Sequence, residues 1–224
     1  MSARPLIFLI PIALLAGAGY TAYAGNNVYQ SLDSGKQELV AAQASVKVAG
    51  RSGDVAALRS ADAELKRAEH DFTDAGERAR KDPALRVAGG LPGAGGQLDA
   101  SAHLAAIGAD LSRAGEASVV VAIQVAGLKQ QYAGRPLTAD DLQALLQQAQ
   151  NIATTYKASI ASIGEQLKAA RAERAQVTTT DLLPQLRQAY DEVDRALTDA
   201  DVAFLRYQDV RGVLSDFLGV RLPT

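Results

Sequence analysis

The side chains that most often carry out catalysis or bind metals are scarce in this sequence. Its 224 residues include no cysteine and only two histidines, His70 and His103. The lack of cysteine excludes disulfides, thiolate metal sites, a cysteine nucleophile and a lipid anchor attached to cysteine. Histidines and carboxylates are the remaining candidates for catalysis or metal binding.

Neither histidine has the neighbours that a metal site requires. A zinc or di-iron site in a helical protein uses Glu-x-x-His or His-x-x-x-His pairs on facing helices, and the sequence contains neither spacing. His70 stands between Glu69 and Asp71, and His103 has only Asp99 four residues before it. We therefore predict solvated or helix-capping histidines, no metal site and no cofactor.

Two carboxylate pairs are explained by helix structure. Asp140 and Asp141 follow Thr138 in an arrangement close to a capping box, and acids in a first turn complement the helix dipole. Asp199 and Asp201 lie on the outer side of a predicted amphipathic helix. The sequence predicts no catalytic residue at either pair.

Nucleotide-binding and nucleophile motifs are also missing. The glycine-rich segment 83–96 lacks the Lys and Ser/Thr of a phosphate-binding loop, because Gln97 follows Gly96. Leu98 stands where a dinucleotide fingerprint starting at Gly93 needs its last glycine. No Gly-x-Ser-x-Gly turn is present. We predict a protein that is not an enzyme, and the formal net charge of -2 argues against a nucleic-acid partner.

The elements that would position any site begin with an apolar stretch at residues 5–24. It contains no charge, and about 20 apolar residues at about 1.5 Å each are enough for a helix to cross a bilayer. Arg4 on the short side predicts a cytoplasmic amino terminus. The sequence therefore predicts a transmembrane anchor at 1–27 and an extracytoplasmic domain beyond it. The alternative is a signal peptide cleaved after Ala24, which ends a small-x-small sequence and would release a secreted protein.

Proline spacing predicts long helices over the rest of the chain. Pro83, Pro92, Pro136 and Pro184 fall between long runs of helix-forming residues. Apolar residues spaced three and four apart continue through each run, as in coiled coils and helical bundles. The predicted helices cover about 28–48, 55–81, 98–132, 138–176 and 184–219.

The predicted helix 98–132 has the strongest pattern. Between Glu116 and Lys129 it carries no charge, which is typical of a buried helix, so we predict the centre of a bundle here. A β-strand is the alternative, because Val119 to Val125 is rich in β-branched residues.

The predicted fold is all-α, with an N-terminal transmembrane helix followed by an elongated antiparallel bundle of four to five long helices. The bundle spans 28–219, with a Gly/Pro break at 83–96 where Leu85, Val87 and Leu91 pack onto its end. Residues 220–224 form a C-terminal tail.

The segment from Gly53-Asp54 through the Leu91-Pro92-x-x-Gly95 break resembles an uncharacterised bacterial envelope family, domain-of-unknown-function family 4012. The resemblance implies a membrane helix, an alanine-rich helix opened by Gly-Asp and another helix after the break. In that family a globular domain follows the helices, so the resemblance implies that this chain is truncated or a fragment, with 220–224 as the truncation point. It assigns no functional residue.

Three hypotheses for function follow. The first is a membrane-anchored helical bundle that serves as a spacer or interaction module of the bacterial cell envelope. It binds the membrane through residues 5–24 and contacts an envelope protein or a second copy through its helices. The second is a sensory or ligand-binding bundle, and the third is the N-terminal part of a larger envelope enzyme.

Overall fold

A computed structural model describes residues 25–90, 93–132 and 138–208. These residues form helices and short connections with no strand among them, which confirms the all-α prediction. The helices are α1 (Gly25–Ser52), α2 (Val55–Lys81), α3 (Pro83–Gly89), α4 (Ala94–Tyr132), α5 (Ala139–Thr155), α6 (Lys157–Gln176) and α7 (Pro184–Gln208). The predicted anchor at 5–24 and the tail at 220–224 lie outside the described residues.

A two-residue turn joins α1 to α2. Gly53 adopts a φ of 72°, a left-handed conformation that glycine takes without a Cβ penalty. Its N–H donates to the Ala49 carbonyl at 2.7 Å, and the Asp54 carboxylate accepts from the Ala56 N–H at 2.8 Å. This closes α1 and caps α2.

Contacts between α1 and α2 run in opposite order along the two helices. Ser45 Oγ donates to Glu64 at 2.9 Å, and Arg67 donates two hydrogen bonds to Glu38. Small and apolar residues of α1 that recur every seven positions are all buried: Leu32, Gly35, Leu39, Ala42, Val46 and Ala49. On the facing side of α2, Leu58, Leu65, Phe72, Ala75 and Ala79 are buried and Val55 is half-buried.

Helix α4 lies in the middle of the packing, with α2 along one side and α6 along the other. Leu104, Ile107 and Leu111 have exposed fractions of 1% or less. The whole of Val119 to Val125 is helical, so the strand alternative is wrong. Among the described residues α4 is also the one helix long and apolar enough to cross a membrane, a property that buried core helices share.

The predicted Gly/Pro break at 83–96 is largely helical, which corrects that prediction. Pro83 is the first residue of α3, a position where its missing N–H costs no hydrogen bond. Asp82 starts this helix, since its carboxylate accepts from the Leu85 N–H at 3.2 Å. Leu85 is buried as predicted, whereas Leu91 and Pro92 lie outside the described residues. Helix α4 then begins at Ala94 rather than near Leu98.

A second correction concerns the predicted helix 138–176, which is divided into α5 and α6. The Tyr156 backbone, at φ -100° and ψ 18°, ends α5, and its N–H donates to the Ile152 carbonyl. Only α6 packs extensively against α4. Leu145 is buried in α5. The Thr138–Asp141 capping box is present as predicted.

The start of α7 is attached to α4 by one glutamine. Gln97 donates to the Asp181 carbonyl at 2.7 Å and accepts from the Leu183 N–H at 3.1 Å. Pro184 opens α7, as the sequence predicted. Leu186, Val193 and Leu197 are buried, but Leu183 is exposed although the apolar spacing placed it on the inner face.

Candidate functional site

Charged and polar side chains collect along α4 where α2 and α6 pack against it. We call this set the charged band. It comprises Asp62, Lys66, Glu69 and Arg80 of α2, Asp99, His103, Asp110, Arg113 and Glu116 of α4, and Glu173 of α6.

Arg113 joins α2 to α4 within the charged band. Its Nε donates to Glu69 at 2.7 Å and its Nη1 to Asp110 at 2.9 Å. Asp110 is 8% exposed, and this burial raises the pKa of its carboxyl although Arg113 acts to lower it. The charge of Glu173 on α6 adds a smaller raising effect.

Removal of the Arg113 guanidinium should destabilise the fold. We expect Arg113→Met to lower the free energy of unfolding by about 1 to 2 kcal/mol, because it leaves the buried Asp110 carboxylate without its charged donor. The matched control is Arg78→Met, which removes an exposed pair with Asp74 and should change stability by less than about 0.5 kcal/mol. Chemical denaturation followed by circular dichroism measures both, and equal effects would contradict the assignment.

Among the described residues, the Glu116 carboxyl has the pKa that lies furthest from its ordinary value. Its Oε1 is buried and accepts no hydrogen bond. Burial raises its pKa to about 7, and the nearby Glu69 and Asp62 carboxylates add to the effect. Lys66 and Arg113 lower the pKa, but Lys66 is bound to Asp62 at 2.6 Å and Arg113 to Glu69 and Asp110. Glu116 is therefore partly protonated near neutral pH.

This displacement predicts how stability depends on pH. The folded pKa of Glu116 lies above the ordinary value of 4.5, so the folded chain retains a proton that the unfolded chain releases. The free energy of unfolding should therefore fall as pH rises from about 4.5 through 7, and Asp110 acts in the same direction. We expect Glu116→Gln to make this slope shallower and to be more stable than the wild type at about pH 8 by about 1 kcal/mol, allowing for solvent screening of the half-buried carboxyl.

Urea titrations at a series of pH values measure this slope. Glu165→Gln is the matched control, because Glu165 is an exposed acid on α6, and its slope should equal that of the wild type. An unchanged slope in Glu116→Gln would contradict the assignment.

His103 joins α4 to α6. Its side chain is 18% exposed, with Nδ1 2.6 Å from Glu173 Oε2 and Nε2 3.6 Å from Asp99 Oδ1. Arg80 of α2 lies 3.7 Å from the same Glu173 oxygen. His103 is therefore a partner in a contact between helices, which corrects the prediction of a solvated or capping side chain. His70 is exposed, as expected.

Both nitrogens of His103 face carboxylates, and Nε and Nη1 of Arg113 donate to acids on two helices. Within the described ranges no cluster of three or more His, Asp or Glu groups could hold a metal ion. The charged band thus fixes α2 and α6 to α4.

Sequence analysis did not find the contacts between distant residues. Glu173 lies 70 residues from His103 and Glu69 lies 44 from Arg113, so no local spacing indicated either pair. The sequence places Asp201 on an outer face, yet this residue pairs with Arg171 of α6. Local spacing does indicate the ion pairs within α2, where the acid stands four residues before the base: Asp62/Lys66, Asp74/Arg78 and Glu77/Lys81.

The fold and the charged band define the class of this protein as an all-helical domain held together by apolar seams and ion pairs between helices. Comparison with protein-family models, curated proteins and solved structures finds no match to the chain. The resemblance to domain-of-unknown-function family 4012 stays a prediction.

Proposed function

We propose that this protein is a membrane-anchored, extracytoplasmic helical bundle that acts as a spacer or interaction module of the bacterial cell envelope. In this proposal residues 5–24 form the transmembrane helix, and the helices beyond it form an elongated antiparallel bundle. Its partner is another envelope protein or a second copy of the chain.

The observation that carries the proposal is the long helix pair that follows the apolar stretch. Helix α1 (Gly25–Ser52, 28 residues) follows that stretch in the sequence. Helix α2 returns over 27 residues, and each is about 40 Å long. Contacts in reverse order along the pair support an antiparallel arrangement, from Gly35 beside Phe72 to Ser45 beside Glu64. A long antiparallel helix pair next to a membrane segment is suited to act as a spacer.

The charged groups are consistent with a structural role. Arg113 and His103 of the charged band pair with carboxylates of neighbouring helices, whereas the pairs Asp74/Arg78 and Glu77/Lys81 of α2 are exposed. Exposed ion pairs add little stability, and the side chains of these two pairs are accessible to water or to a polar partner.

A pair of reporter fusions at Thr224 tests the topology. We expect a fusion to alkaline phosphatase, which is active outside the cytoplasm, to be active, and a fusion to a reporter that works only in the cytoplasm to be inactive. The reverse result would overturn the proposal. Cell fractionation then separates the two fates of residues 5–24, because cleavage after Ala24 would yield a soluble protein that begins at Gly25 and anchoring would leave the intact chain in the membrane fraction.

A further inference from the structure

Carboxylates of two helices lie beside the His103 ring, and a third helix places a cation next to one of them. Glu173 of α6 lies 2.6 Å from Nδ1, and Asp99 of α4 lies 3.6 Å from Nε2. Arg80 of α2 lies 3.7 Å from the Glu173 carboxylate, and the charge of that carboxylate also raises the pKa of Asp110 of α4. Both contacts of the ring are ion pairs only when the imidazole carries a proton.

We propose that protonated His103 holds α6 against α4, and that loss of its proton loosens α6 while the α1–α2 pair stays in place. The contact between α4 and α6 is thus sensitive to pH. Histidine is the side chain whose charge most readily changes between about pH 5 and pH 8. The inference concerns the folded domain alone and does not depend on the proposed membrane topology.

The physical basis is the balance of charge at Glu173. With the imidazolium present, the Glu173 carboxylate has a cation at 2.6 Å and the Arg80 guanidinium at 3.7 Å. Without it, the more distant and half-exposed Arg80 is the cation that remains beside the Glu173 carboxylate. Charge-assisted hydrogen bonds are shorter and stronger than neutral ones, so the neutral ring holds α6 less firmly.

The apolar contacts of α6 explain why the helix loosens without unfolding. Ile163, Leu167 and Ala170 are buried, so an apolar seam keeps α6 in place when the ion pair is lost. The α1–α2 pair has its own contacts, including the Glu38–Arg67 and Ser45–Glu64 hydrogen bonds, and these involve no histidine.

Hydrogen exchange measured by mass spectrometry on the full chain in detergent micelles tests the proposal. After correction for the intrinsic dependence of exchange on pH, we expect protection of the α6 amides to fall about twofold to fivefold between about pH 5.5 and pH 8. Protection of α1 should change much less over the same range. Glu116 and Asp110 are present in every variant, but Glu173 contributes to the raised pKa of Asp110, so His103→Gln, which leaves all three carboxyls in place, is the principal comparison.

The variants separate the ion pair from general effects. His103→Gln should give α6 the same low protection at both pH values, and Glu173→Gln should do so independently. His70→Gln is the matched control, since His70 is the other histidine of the chain and is exposed, and it should respond to pH as the wild type does. A wild type whose α6 protection does not change with pH, or a response that survives in His103→Gln, would overturn the proposal. A response lost equally in His70→Gln would do the same.

Discussion

Replacement of Phe72 by Ala is expected to lower the free energy of unfolding by about 3 to 5 kcal/mol, the largest effect of any single truncation proposed for this chain. Phe72 is fully buried and is held between two glycines of different helices. Its ring lies against Gly35 of α1 and Gly108 of α4, so it fills the space where three helices meet. Truncation would leave a cavity that these helices cannot close without moving.

Thermal and urea unfolding followed by circular dichroism measure this loss. Thr73→Ala is the matched control, because Thr73 is the exposed neighbour of Phe72 on the same helix, and its effect should stay within about 0.5 kcal/mol. If Phe72→Ala unfolded at the same urea concentration as the wild type, the packing of α1, α2 and α4 around this ring would be wrong.

The second large effect is expected from Gly108→Ala, which adds a single methyl group. A Cβ at this position would lie 2.8 Å from Phe72 ring atoms, well inside van der Waals contact. Alanine favours a helix over glycine by about 1 kcal/mol, but overpacking of a core costs about 1 to 3 kcal/mol. Because a rigid buried ring cannot move aside, we expect the clash to dominate and Gly108→Ala to be destabilised.

A glycine elsewhere on the same helix provides the control. A Cβ on Gly127 would meet no atom within 4 Å, so Gly127→Ala should stabilise the protein by about 0.5 to 1 kcal/mol through helix propensity alone. Opposite signs for the two substitutions are the expected result. Two stabilising substitutions would show that α4 does not approach Phe72 as described.

The apolar spacing of the sequence was sufficient to locate most of the core. The seam of α1 follows a seven-residue repeat without exception from Leu32 to Ala49, and each of its positions is buried. Local capping signals were equally informative at Asp54 and Thr138, because a cap depends on residues two or three positions away. Both the apolar spacing and the capping signals depend on residues that are close together in the sequence.

Two errors of the sequence analysis arose where a local signal was given too much weight. Proline at 83 predicted a break, yet proline is compatible with the first position of a helix, and Asp82 provides the cap that starts α3. The division between α5 and α6 at Tyr156 has neither proline nor glycine nearby. That division accompanies a change of packing, since α6 follows α4 and α5 does not.

The charged band was the part that sequence could not supply. Histidine and arginine at single positions have no visible partner until the helices are packed, and His103 and Arg113 find theirs 70 and 44 residues away. Without an aligned set of related sequences, no pattern connects such distant positions. Sequence analysis predicted a solvated or capping role for His103, whereas the fold shows its partner, Glu173.

The proposed function requires helix α4 to be the buried centre of an exported domain. Its length and apolar character would also suit a second membrane crossing, which would place the residues after it on the cytoplasmic side. The two arrangements therefore predict different sides of the membrane for α7.

The most direct test uses the natural absence of cysteine from the chain. Single-cysteine variants at exposed Ala44 of α1 and exposed Thr198 of α7 are treated in intact cells with a maleimide that cannot cross membranes, and Ser2→Cys serves as the cytoplasmic control. The account predicts that Ala44→Cys and Thr198→Cys are both labelled, while Ser2→Cys is labelled only after the cells are opened. Labelling of Ala44→Cys without Thr198→Cys, or of neither before the cells are opened, would contradict it.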